Sequence, residues 1–146
     1  MTSLHSFMCT SSLGWYILYA SQSIMSSLGK GYSERVYHNA FCAHLSQANI
    51  SYRTEVLCPV MYRGQCVGTG SADLVLGNMV IELKANKEPA SLALPQLRKY
   101  IKSLSHLENK TYTGAVINFN QNSGVVDYLL EPSVPVPALP TRNKMK

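Results

Sequence analysis

Ser71–Ala85 reads SADLVLGNMVIELKA, an apolar stretch with a Gly-Asn pair at its centre. Leu, Val, Met and Ile in this density are typical of strands in the middle of a sheet, and the Gly77-Asn78 pair predicts a hairpin turn between two of them. Asp73, Glu82 and Lys84 interrupt the apolar run. Because buried charges are costly unless they are paired or bound to a metal, these three groups either hold one another or hold something else.

The hairpin predicts where the three charges lie. Successive side chains of a strand point to opposite faces, so Glu82 and Lys84 share one face. The turn brings Asp73 back toward Glu82, because the two residues lie at matching distances from it. Two carboxylates that close are unfavourable unless a cation lies between them, and a divalent ion with oxygen ligands is the usual solution. An ordinary Glu-Lys or Asp-Lys bridge on a solvated sheet face is the simpler alternative.

Length and composition indicate one folded domain. The chain has 146 residues, of which 46% are apolar and 14% charged, and this composition is typical of globular rather than disordered proteins. The net charge of +5 favours an acidic partner such as nucleic acid, although Arg142, Lys144 and Lys146 place part of it near the end. We expect a single domain over residues 1–131 and a Pro-rich basic tail over 132–146 that is poorly ordered.

Membrane-spanning and zinc-binding proteins are two classes that the sequence does not favour. The apolar patch Trp15–Ala20 is far shorter than the roughly 20 residues that span a bilayer, and no Lys or Arg precedes it. The expectation is an intracellular protein, cytoplasmic or nuclear. The cysteines form no C-x-x-C pair, and His38 and Cys42 at i,i+4 are interpreted as a half-buried pair on a packed helix, because two ligands do not make a metal site.

Hydrophobic periodicity and turn residues predict the remaining elements. Helices are expected near residues 13–28 and 34–47 and from Pro95 onward, with Ser33 as the N-cap of the second helix. Strands are expected at 51–57, 60–62, 65–67, 72–76, 79–85, 113–119 and 125–130, the last of them at an edge. This order of elements indicates an α/β domain with a central sheet flanked by helices.

The order of the charges, with Asp73 first and Glu82-Leu83-Lys84 on the next strand, resembles the PD-(D/E)XK signature of the restriction-endonuclease-like nucleases. Gly31–Tyr37, GYSERVY, is similar to the G-x-x-E-x-x-Y motif that names a small family of this superfamily, the GxxExxY proteins. The similarity continues through Pro59–Asp73, VIELKA, Gln96–Tyr100 and GAVINF, within residues 17–120. It implies a restriction-endonuclease-like core, with a central mixed β-sheet flanked by α-helices.

The resemblance also implies a phosphodiesterase site that depends on Mg²⁺ or Mn²⁺. On this basis Asp73 and Glu82 are metal ligands and the carbonyl of Leu83 is a third. Lys84 is the group that positions or activates the attacking water. Glu34 corresponds to a further ligand or to an organiser of water at the metal, although a negative side chain would also suit the first turn of its helix for structural reasons alone.

Further residues are implicated by the same resemblance in supporting the site or binding nucleic acid. Gln96 and Tyr100 resemble the Q-x-x-x-Y pair of related exonuclease-type members. Pro95 departs from the family pattern and could shift Gln96 relative to the metal, whereas Lys30 stands where the family has a proline between two glycines and adds a positive charge. Three cations of the helix after Pro95 face either phosphates or solvent, namely Arg98, Lys99 and Lys102.

Two functions are compatible with these observations. The first is a metal-dependent nuclease that hydrolyses phosphodiester bonds, with DNA favoured over RNA as the partner. The alternative is a non-catalytic nucleic-acid-binding or assembly protein that retains the nuclease fold, because fold alone does not fix function. A homodimer would suit either function. The presence of Asp73, Glu82 and Lys84 together favours the nuclease, since a binding module has no need of all three.

Overall fold

The structure is a computed structural model that describes residues 10–132. Within this range three α-helices flank a sheet of five strands. The helices are α1 (Thr10–Leu28), α2 (Glu34–Gln47) and α3 (Leu94–Glu108), and a short 3-10 helix, Ala90–Ala93, precedes α3. The strands are β1 (Arg53–Tyr62), β2 (Gln65–Leu76), β3 (Met79–Lys84), β4 (Thr113–Phe119) and β5 (Val126–Glu131). The predicted tail, apart from Pro132, lies outside the described residues.

The sheet is mixed and its strands follow one another in chain order, β1-β2-β3-β4-β5. Strands β3 and β4 pair in parallel, and α3 provides the crossover that parallel pairing requires. The other neighbours are antiparallel, and β1 and β5 form the edges. The predicted α/β class is confirmed, as is the edge position of the last strand.

The helix boundaries follow local signals with one exception. Helix α1 ends at Leu28, before Gly29 and Gly31 adopt positive φ angles of 70° and 110°. Helix α2 begins at Glu34 as predicted, but the Ser33 hydroxyl makes no capping bond, and the Ser33 carbonyl instead accepts the N–H of Val36.

In the part of the chain that the structure covers, no helix combines the length and apolar character needed to cross a bilayer.

The strands before α3 are longer than predicted. Four of the expected short strands are the two continuous strands β1 and β2, which are joined by a turn at Arg63-Gly64. Pro59 is tolerated inside β1 because an edge strand has one unpaired side, and Gly70 pairs directly with Cys58. The turn-like residues of this region therefore lie within strands, and the prediction of separate strands there is wrong.

The core lies on both faces of the sheet, as the alternation of side chains in β3 predicts. Ile81 and Leu83 belong to the cluster formed with α1 and α2, whereas Val80 belongs to the cluster formed with α3. Glu82 lies between Ile81 and Leu83, so it shares the α3 face with Val80 although it is buried. The fold thus places an acid inside the apolar layer of the sheet.

Candidate active site

The candidate site lies where β2 and β3 diverge. The two strands pair from Leu76 and Met79 to Leu74 and Ile81, where their ladder ends. Strand β3 continues to Lys84 because β4 still pairs with it on the other side. The next residues after the ladder, Asp73 on β2 and Glu82 on β3, therefore stand at the mouth of a fork, and we call this place the strand fork.

Side chains replace the missing ladder bonds at the strand fork. The main-chain N–H of Asp73 donates to Oε1 of Glu82 at 3.0 Å, and the N–H of Leu83 donates to Oδ2 of Asp73 at 2.8 Å. Among residues 10–132 the second oxygen of each carboxylate accepts no hydrogen bond. The predicted approach of Asp73 to Glu82 is observed, and each carboxylate keeps one oxygen for a ligand.

Negative charge at the strand fork is unfavourable without a cation. Burial raises the pKa of Glu82 to about 8, and the neighbouring charge of Asp73 acts in the same direction. Burial also raises the pKa of Asp73. The pKa of Glu34, at the first turn of α2, is raised by burial and by Asp73, while the Lys84 ammonium partly opposes this rise. All three acids therefore share one electrostatic environment that favours either a proton or a bound cation.

Lys84 is half-buried and is engaged in none of the ion pairs between described residues. The simple alternative, a bridge from Lys84 to Asp73 or Glu82, is therefore not formed within residues 10–132. Lys84 instead lines a cleft of about 260 Å³ together with Gln96, Asn86 and Asn118. Lys84 can therefore meet a ligand that enters this cleft.

Gln96 and Tyr100 contact each other on one face of α3. The Gln96 amide donates to the Tyr100 hydroxyl at 2.9 Å. The ring of Tyr100 lies against β2 at Gly70, where an added Cβ would come within 2.5 Å of its Cε1 atom. Burial raises the pKa of Tyr100, and the charge of Glu82 adds to this rise. Pro95 occupies the first turn of α3 without removing Gln96 from the cleft.

The predicted nucleic-acid contacts differ in their surroundings. The ammonium of Lys30 donates to the carbonyl of Asn122 in the loop after β4, at 3.3 Å. Arg98 forms an ion pair with Glu131 at 2.9 Å, so its charge is already compensated in part. Two cations of α3, Lys99 and Lys102, are exposed. Their nucleic-acid role stays a prediction, and Arg98 is the weaker candidate among the three residues of α3.

Sequence reasoning missed Asn118, which is only 1% exposed on β4. Its amide donates to the side chain of Asn86 at 2.9 Å and to the carbonyl of Glu88 at 2.6 Å, while its oxygen accepts the N–H of Asn86 at 3.1 Å. These bonds fix the segment that leaves β3 directly after Lys84. A lone amide inside the apolar strand GAVINF is the signal that could have identified it.

His38 lies against Cys42 as the helical spacing predicts, with the sulfur 3.9 Å from Nδ1. The prediction missed the other side of the ring, where Nε2 lies 3.2 Å from the main-chain oxygen of Asp73. Helical spacing alone could not reveal this contact, because it joins α2 to β2. His38 is therefore part of the strand fork as well as of the helix packing.

The donor set at the strand fork fits a magnesium-type ion. Within residues 10–132 no group of three or more His, Cys, Asp or Glu side chains could hold a metal. Mg²⁺ is commonly held by one or two carboxylates and keeps several waters and substrate phosphates. Asp73 and Glu82 each offer one unused oxygen, and the Leu83 carbonyl leaves β3 on the same side as its N–H, which faces Asp73. Glu34 remains a predicted further ligand.

Comparison with known proteins gives a family for this geometry. A family model described as the PD-(D/E)XK nuclease superfamily matches residues 11–127. No curated protein and no solved structure matches the chain. The resemblance to the GxxExxY proteins stays a prediction within that wider group. The match covers most of the chain and includes the whole strand fork, so this protein belongs to the PD-(D/E)XK nuclease superfamily.

Proposed function

We propose that the chain is a Mg²⁺- or Mn²⁺-dependent nuclease that hydrolyses phosphodiester bonds in DNA. The observation that carries the proposal is the pair of carboxylates at the strand fork, the buried Glu82 and the half-buried Asp73, close to Lys84. Keeping two acids together costs stability unless a cation compensates them. Among the described residues no ion pair joins the two acids to Lys84. Catalysis explains such a costly arrangement better than packing does.

Each residue has a distinct role in the proposed reaction. Asp73 and Glu82, with the carbonyl of Leu83, would hold the divalent ion, which when bound supplies positive charge to the scissile phosphate. Lys84 orients the attacking water through its ammonium and stabilises the negative charge that develops on the phosphate oxygens. Gln96 shares the cleft with Lys84 and contacts the substrate or that water. Glu34, with its raised pKa, is suited to accept a hydrogen bond from water at the edge of the site.

The experiment that tests the proposal compares the wild type with Asp73→Ala and Lys84→Ala. Mn²⁺ and Mg²⁺ are titrated by calorimetry, and cleavage is measured on labelled single- and double-stranded DNA. Asp73→Ala should lose metal binding and cleavage together. Lys84→Ala should keep metal and DNA binding but lose cleavage by about 10²- to 10³-fold, because it removes a group that acts on developing charge. Lys87→Ala, an exposed lysine outside the cleft, is the matched control.

A contrary result would support the alternative function. If wild type and Lys84→Ala bind DNA equally and neither cleaves it with Mg²⁺ or Mn²⁺, the proposed nuclease is wrong. The protein would then be a nucleic-acid-binding or assembly protein that retains the fold. Cleavage of RNA but not of DNA would keep the chemistry and overturn the proposed substrate.

A further inference from the structure

The main chain of Asp73 needs partners that β3 does not supply. Its N–H and C=O belong to the side of β2 that faces the strand fork, where the ladder with β3 has ended. Glu82 accepts the N–H, and His38 Nε2, at 3.2 Å, meets the C=O. A main-chain group that is left unpaired away from water is unfavourable, so the fold favours keeping this contact. His38 is itself only 7% exposed.

The partners of His38 define the orientation and tautomer of its ring. A carbonyl oxygen only accepts hydrogen bonds, so the proton of the neutral ring must lie on Nε2. Nδ1 is then the acceptor, and two groups lie close to it, Nη1 of Arg35 at 3.5 Å and the sulfur of Cys42 at 3.9 Å. The ring is therefore held from both sides, by β2 at one nitrogen and by its own helix at the other.

A second contact from α2 reaches the strand next to Asp73. Nη2 of Arg35 forms an ion pair with Glu55 of β1 at 2.8 Å. Glu55 lies between the residues of β1 that pair with the two neighbours of Asp73, and its φ angle of 51° is in the left-handed region. This ion pair is largely exposed and contributes little by itself. The contact from His38 to Asp73 is part-buried and is therefore the stronger link between α2 and the strand fork.

We infer that His38 is a positioning residue, which fixes the main chain of Asp73 so that its carboxylate stays beside Glu82. The catalytic consequence rests on the proposed nuclease function, whereas the hydrogen bond itself does not. Removing a residue that orients a metal ligand in this way lowers metal affinity or activity by about 10- to 100-fold. His38 acts through Asp73 and touches neither metal nor substrate.

The test compares His38→Leu, which removes the donor, with His38→Gln, whose amide can reach the same oxygen. His44→Leu, on the same helix but in contact with Tyr16, is the matched control. In the metal-free protein the backbone ¹³C′ shift of Asp73 should move in His38→Leu and stay near its wild-type value in His38→Gln and His44→Leu. Labelled-histidine NMR of the wild type should show the proton on Nε2.

With Mn²⁺, His38→Leu should lower metal affinity and kcat by about 10- to 100-fold without changing the KM for DNA, and His38→Gln should restore most of both. An unchanged Asp73 shift in His38→Leu, a proton on Nδ1, or equal losses in folded His38→Leu and His38→Gln would overturn the positioning role. If the wild type neither binds Mn²⁺ nor cleaves, the proposed function fails, and the metal-free NMR result still decides whether His38 holds Asp73.

Discussion

Replacing Glu82 by Gln should stabilise the metal-free protein. Glu82 is 3% exposed, and its pKa is raised to about 8 by burial and by the charge of Asp73. A group whose pKa is higher in the folded than in the unfolded chain adds stability below its unfolded pKa, and this stability is lost as pH rises through the folded pKa. Wild-type stability should therefore fall from about pH 4.5 to about pH 8, and Glu82→Gln should escape this fall.

The magnitude follows from the size of the rise in pKa. A change from 4.5 to about 8 corresponds to at most about 5 kcal/mol, at about 1.4 kcal/mol for each pH unit. The Gln carbonyl can still accept the N–H of Asp73, so the variant keeps the hydrogen bond at the strand fork. Even a fifth of this limit, about 1 kcal/mol, would raise the Tm of a domain of this size by about 3 to 4 °C.

Thermal and urea unfolding in the presence of a chelator, between about pH 5 and pH 9, measure the effect. The difference in stability between Glu82→Gln and wild type should grow with pH, and Glu88→Gln, at an exposed position, is measured beside it as the control substitution. Adding Mg²⁺ should then raise the Tm of the wild type by mass action and leave Glu82→Gln unchanged. A wild type that is as stable as the variant at high pH would refute the reasoning.

Two other predictions concern the surroundings of α3. In Gly70→Ala the new Cβ would lie 2.5 Å from the Tyr100 ring, so the free energy of unfolding, measured in urea, should fall by about 1 to 3 kcal/mol. The double variant Gly70→Ala/Tyr100→Ala should be no less stable than Tyr100→Ala alone. Additive losses of stability in the double variant would count against the clash. Replacing Lys99 and Lys102 by Gln should lower DNA affinity and reduce the slope of log K against log salt by about 1 for each phosphate that the variant no longer neutralises. Arg98→Gln, which removes a cation already in an ion pair, should change the slope less, and an unchanged slope in the lysine variants would assign this face to solvent.

The features that the sequence predicted well depend on neighbours along the chain. The Gly77-Asn78 turn sets the register of a local hairpin, so equal spacing from the turn was enough to bring Asp73 to Glu82. The start of α2 at Glu34 was likewise visible in the two glycines and the serine that precede it. Local geometry of this kind is accessible to pattern reasoning because few alternatives satisfy it.

The features that it missed depend on contacts between distant elements. Pro59 and Gly70 are typical of turns, and only the edge position of β1 and the close approach of Tyr100 explain why they lie in strands. The contact from His38 to Asp73 joins α2 to β2, and the bonds of Asn118 join β4 to the segment after β3. None of these partners can be assigned from spacing, because each requires the packed arrangement of the sheet and helices.

The contrast between the two pairings of β3 has a consequence for how the chain folds. The β2–β3 hairpin closes over a tight turn. Met79 and Thr113, which pair in the β3–β4 ladder, are separated along the chain by α3, so their pairing closes a much longer loop. Closing the longer loop costs more entropy, so we expect the hairpin to be present in the rate-limiting transition state and the β3–β4 pairing to follow. The two acids would then meet before the rest of the sheet surrounds them. Mg²⁺ in the refolding buffer should accelerate folding for this reason, and stopped-flow refolding with and without the ion measures it; an unchanged folding rate with a slower unfolding rate would show that the metal binds only after the sheet is complete.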